Sequence, residues 1–136
     1  MPLTTRILEN GSRNAKVLVT GLIQADLPPV KVFGLEDLQA TALKIEGIVW
    51  VIQEKLGLRM WWGIGEAQAS GIPLLTDANL IFVMESRNAV RLDHGLDSPR
   101  RSEKWDKTVW MDSFNFGAAP TEKTKAFTLI IYLDKQ

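Results

Sequence analysis

The stretch Ile48-Val-Trp-Val-Ile-Gln-Glu-Lys-Leu-Gly-Leu-Arg-Met-Trp-Trp62 decides how the fold is read. Its apolar residues alternate, it is rich in β-branched and aromatic side chains, and Glu54-Lys55-Leu56-Gly57 interrupts it. That pattern means two strands and a turn. Lys55-Leu56-Gly57 fits a three-residue hairpin loop, with Gly57 in the left-handed position that closes such loops. Counting outward then pairs Ile52 with Met60, Val51 with Trp61 and Trp50 with Trp62. A four-residue loop shifts the register and sets Trp50 against Trp61 instead. On the first register Ile48, Trp50, Ile52, Leu58, Met60 and Trp62 share one face, a core wall. On either register Trp61 and Trp62 point to opposite faces, so one is core and its neighbour lies across the sheet. The reverse face carries Val49, Val51, Gln53, Arg59 and Trp61. Arg59, Trp61, Val49 and Val51 are therefore the candidate subunit interface.

Working toward the N-terminus, Leu43 and Ile45 alternate with Lys44 and Glu46 in the opposite parity to the later apolar set. Gly47 is a natural bulge that lets the strand switch faces. Thr5 to Glu9 and Lys16 to Gln24 flank the turn signal Asn10-Gly11 and form a first hairpin, in which Gly21 marks a bulge or a close backbone contact. Asn10-Gly11-Ser12 also has the form of a glycosylation acceptor, but reads better as that turn. Residues 1–4 are candidates for a flexible arm. Pro28-Pro29 ends this unit, Val30 to Phe33 suits a short edge strand, and Leu35 to Ala40 suits a helical turn or a loop.

Toward the C-terminus, Gly63 to Pro73 reads as a Gly- and Ala-rich loop. Asn79 to Glu85, Ala89 to Leu92, Thr108 to Phe114 and Ala126 to Leu133 read as strands, separated by loops over 93–106 and 117–125. About eight short strands without an amphipathic helix predict a single all-β domain over 1–136, an antiparallel β-sandwich or barrel.

The totals exclude several function classes. Sixteen Lys and Arg balance sixteen Asp and Glu, so no global field draws nucleic acid or an anionic membrane. The absence of cysteine removes disulfides, thiolate metal sites and a cysteine nucleophile. No secretory leader and no membrane-length apolar run is expected.

Local chemistry is sparse. His94, the single histidine, sits in Asp93-His94-Gly95 with no nucleophile-elbow motif anywhere in the chain. Asp77, Asp93, His94 and Asp97 match no established metal-ligand spacing. Gly63-Ile64-Gly65-Glu66 lacks the glycine-lysine end of a phosphate loop. Arg100, Arg101, Lys104 and Lys107 cluster around Trp105, but Asp97, Glu103 and Asp106 dilute the field. A solvated loop, or a loop that grips an acidic protein neighbour, fits better than a nucleic-acid site. Arg100, Arg101, Lys104 and Trp105 form this candidate docking loop. Trp61, Trp105 and Trp110 are candidates for stacking a sugar. No cofactor and no metal is expected.

The opening stretch, with Leu80-Ile-Phe-Val-Met-Glu-Ser-Arg-Asn88, Val90-Arg-Leu-Asp93 and Ala126-Phe-Thr-Leu-Ile-Ile-Tyr-Leu-Asp-Lys135, resembles small virion structural proteins of tailed bacteriophages, chiefly capsid decoration or cement proteins. The likeness covers roughly the C-terminal two-thirds. It implies a non-enzymatic β-rich module, made in the host cytoplasm and carried in the virion, that binds major capsid protein as a homo-oligomer, often a trimer, without contacting nucleic acid or membrane. A carbohydrate-binding module, or a connector or tail component, is the alternative.

Overall fold

The computed structural model describes residues 3–53, 56–64, 80–85, 87–97, 105–114 and 124–135. They form nine strands and one helical turn: β1 (Leu3–Asn10), β2 (Asn14–Ile23), β3 (Val30–Gly34), α1 (Leu35–Leu38), β4 (Leu43–Ile52), β5 (Gly57–Ile64), β6 (Leu80–Glu85), β7 (Arg87–Asp97), β8 (Trp105–Phe114) and β9 (Lys125–Lys135). The strands build two antiparallel sheets, sheet A in the order β1-β2-β9-β4-β7 and sheet B in the order β3-β8-β5-β6. Setting β1 aside, β2-β9-β4-β7 against β3-β8-β5-β6 is the strand order of a jelly roll, a closed double sheet made of two Greek keys. The all-β sandwich expected from the sequence is the observed fold.

The hairpin expected over Ile48–Trp62 does not form. β4 lies inside sheet A between β9 and β7, and β5 lies inside sheet B between β8 and β6. The chain crosses from one sheet to the other over Gln53–Leu56, where the Leu56 amide bonds to the Gln53 carbonyl at 3.1 Å. The inward parity is nevertheless as read. Ile48, Trp50 and Ile52 enter the core from sheet A, while Leu58, Met60 and Trp62 enter it from sheet B. Trp50 and Trp62, 6% and 7% exposed, thus line the same core without being cross-strand neighbours. The Trp50 ring instead meets Phe82 of β6 at 6.3 Å, and its Nε1 donates to the Glu85 carbonyl at 3.0 Å, tying the sheets together.

Glycines set the irregularities. The ladders on both sides of β4 shift between Ile45 and Gly47, so Gly47 is the expected bulge and brings Leu43, Ile45, Ile48 and Trp50 to one buried face. Gly21 is the expected close contact: a Cβ there would lie 2.2 Å from Cζ of Phe127, its partner on β9. β7 runs past the anticipated loop start, since Leu92 to Gly95 bulge opposite Glu46 and pairing resumes at Leu96. Gly95, at φ +69°, supplies the left-handed residue. Leu3 and Thr4 belong to β1, so residues 3 and 4 are strand rather than a free arm, because backbone pairing to Gly21 and Thr20 holds them.

The core between the sheets is apolar. Leu58, Met60, Met84, Met111, Leu129 and Ile131 are fully buried within it, each contributing roughly 1.5–3 kcal/mol by leaving water. Around the rim, Ser113 Oγ accepts a 2.6 Å hydrogen bond from the Leu27 amide and donates at 3.1 Å to Asp26, pinning the β2–β3 crossover to β8. The Asp37 carboxylate accepts from the Gly34 amide at 2.8 Å and starts α1, the single turn that the sequence left open.

Candidate interaction surfaces

The alternation that fills the core also determines what points outward. On sheet B the outward residues of β5 and β8 pair across the ladder, Gly57 with Phe114, Arg59 with Asp112 and Trp61 with Trp110. Arg59 Nε and Nη2 donate to Asp112 Oδ1 and Oδ2 at 3.0 and 2.7 Å, a bidentate ion pair. Trp61 Nε1 adds a 2.9 Å bond to Asp112 Oδ1. The guanidinium lies 5.4 Å from the Trp61 ring and 5.2 Å from the Phe114 ring, within cation–π range of both. Phe114 in turn covers the bare backbone of Gly57, where a Cβ would sit 2.3 Å from its Cζ.

This arrangement changes the reading of Trp61. The residue does lie across the sheet from Trp62, outside the core cluster, but it is only 5% exposed. Its indole N–H is spent on a buried carboxylate. It is a member of a clasp that locks β5 to β8, not an open adhesive or sugar-stacking face. Trp110 is half-buried and donates to Thr108 Oγ1 at 2.8 Å. The opposite charges of the clasp, Arg59 on β5 and Asp112 on β8, lie three strands apart in the sequence, and Asp112 carries no signal of its own on an otherwise ordinary strand.

On sheet A the outward face is different. Val49 opposes Ile130, which opposes Leu18, and the next row runs Val51, Thr128, Thr20, Thr4. Val49 and Val51 are 40% and 48% exposed, while Ile130 and Leu18 are half-buried. Beside them Thr4, Thr20, Leu22, Ala126 and Thr128 surround a shallow depression of about 280 Å³. The predicted interface is therefore split. Val49 and Val51 project from sheet A and Arg59 and Trp61 from sheet B, on opposite sides of the sandwich, because β4 and β5 belong to different sheets.

Arg100, Arg101 and Lys104 of the predicted docking loop lie outside the described residues, as does Asp77. Trp105 opens β8, where its backbone pairs with Ile64. Asp93, His94 and Asp97 fall on β7 rather than in a loop. Among the described residues no three His, Asp or Glu side chains gather as a metal site would require, and no helix is long and apolar enough to cross a membrane.

No protein-family model and no curated protein matches the chain. Among solved structures it is similar to the cupin domain of Schizosaccharomyces pombe Cnp3, at 12% identity and a TM-score of 0.39, covering 100% of this chain and 66% of that one. The chain thus spans just under two thirds of that chain's length. A likeness of this degree identifies neither a family nor an activity.

Proposed function

We propose that the protein is a non-enzymatic virion component of a tailed bacteriophage, a capsid decoration module that adheres through the outward face of sheet A. The observation that carries the adhesive part is the exposed pair Val49 and Val51, continued by Ile130 and Leu18 into an apolar patch on a strand whose other face is already core. The phage and capsid part rests on the sequence resemblance. Jelly rolls serve viral capsids, lectins and cupins alike, so the topology is compatible with this reading without selecting it.

In this proposal the partner is major capsid protein, and Arg100, Arg101 and Lys104, with Trp105 at the start of β8, make a second contact with it. Individually weak contacts suffice, because many copies on a symmetric shell act together. Arg59 and Trp61 stiffen the opposite sheet and take no part in adhesion. Cross-linking mass spectrometry on purified particles tests the reading. Cross-links from Lys16, which lies on the outward face of sheet A, to the shell protein are expected. Cross-links confined to tail proteins would move the assignment to a connector or tail component, and absence from particles would overturn it. The threonine-lined depression beside Leu22 favours a glycan ligand as the second reading, and saturable binding on a glycan array would bring it forward.

A further inference from the structure

Among the described residues β1 is an outermost strand of sheet A, paired on one side only, to β2. An edge strand leaves alternate N–H and C=O groups pointing away from its sheet, a template for another strand. β3, an edge of sheet B, is guarded: it is five residues long, follows Pro28-Pro29 and runs directly into α1. β1 is eight residues long, contains no proline, and exposes Ile7 and Leu8 by 38% and 46%. Its bulge and charges would ordinarily repel an arbitrary neighbour.

Those same features are self-complementary. Strict alternation would put Arg6 and Glu9 on opposite faces. The irregularity between Ile7 and Glu9 cancels that, since Arg6 opposes Leu18 and Glu9 opposes Lys16, both on the outward face of β2. The 3.4 Å Glu9–Lys16 ion pair lies on this face as well. Arg6 and Glu9 therefore project from one face with opposite signs. Two copies of β1 running antiparallel about a two-fold axis between Ile7 and Leu8 bring Arg6 of each against Glu9 of the other, and Ile7 of each against Leu8.

We propose that a second copy of this chain pairs along β1, joining the two A sheets into one continuous sheet across a two-fold dimer. The inference goes beyond the capsid reading and does not depend on it. The contact is isologous and closes on itself, so the assembly unit is a dimer in place of the trimer that the resemblance implies.

Sedimentation of the full chain at low salt is the test, with circular dichroism to verify folding. The protein is expected to be a dimer. Arg6→Glu or Glu9→Arg alone sets like charges together at both symmetric positions and weakens dimerisation by about tenfold per pair, about 100-fold in all. An equimolar mixture of the two single variants restores the dimer, and so does the double variant Arg6→Glu/Glu9→Arg. A monomeric parent, an oligomer that either single variant leaves intact, or a mixture and double variant that stay monomeric would each overturn the proposal.

Discussion

Replacing Trp61 by alanine is expected to destabilise the fold by about 3–5 kcal/mol, although the side chain points away from the core. The indole is 5% exposed, packs 5.4 Å from the Arg59 guanidinium and gives a 2.9 Å hydrogen bond to Asp112. Alanine forfeits all of that contact and leaves Asp112 with its two bonds from Arg59. Trp61→Phe separates the contributions. It keeps most of the aromatic surface and loses the N–H, so its cost is about 1.5–3 kcal/mol, the worth of one hydrogen bond to a charged acceptor. Urea titration followed by far-ultraviolet circular dichroism measures both, free of the fluorescence change that the substitutions themselves cause. At a slope of about 2 kcal/mol per molar urea, Trp61→Ala moves the midpoint by roughly 2 M and Trp61→Phe by roughly 1 M. A loss below about 1 kcal/mol for Trp61→Ala, at unchanged slope, would refute the reasoning, since the indole would then behave as a surface group.

The two glycine–phenylalanine pairs should respond unequally to a methyl group. Gly21→Ala meets a ring locked in the core and is expected to cost about 3 kcal/mol, whereas Gly57→Ala meets the half-exposed Phe114, which can swing aside, at about 1 kcal/mol; thermal melts that reverse this order would contradict the packing described. Ser113→Ala strands the buried Leu27 amide and should cost about 1–3 kcal/mol, with faster hydrogen exchange at that amide as the local signature. Val49→Lys and Val51→Lys should each change stability by no more than about 0.5 kcal/mol while lowering retention on particles, measured by co-sedimentation; loss of stability without loss of retention would remove this face from the adhesive role.

Most of the strands were legible in the sequence, because period-two alternation is a direct consequence of the pleat. The bulge at Gly47, the close approach at Gly21 and the inward set from Ile48 to Trp62 all followed from it. What alternation cannot supply is the partner. It says that Trp50 and Trp62 face a core, and the same statement holds whether their strands are neighbours in one sheet or lie opposite each other in two. The hairpin was the economical solution for so short a connection, and the jelly roll uses a tight crossover instead. Trp61 departs from its expected exposure for a related reason. An outward position need not be an exposed one: Asp112, remote in sequence, both binds the indole and fixes the Arg59 guanidinium beside it. Asp93-His94-Gly95 looked like loop chemistry because a wide bulge uses the same left-handed glycine as a turn.

β9 occupies the middle of sheet A, bonded to β2 on one side and β4 on the other. Until residues 125–135 have been synthesised, β2 and β4 therefore have no strand between them, and each presents an open edge with half of its backbone bonding capacity unmet. The sheet cannot be completed progressively as the chain emerges. Closure comes last, by insertion of a segment that must find partners numbered 14–23 and 43–52, and such long-range pairing is slow relative to local structure. During that interval the nascent chain is at its most vulnerable to pairing with other chains, so its yield in a cell should depend on chaperone supply and temperature more steeply than the stability of the finished sandwich would suggest.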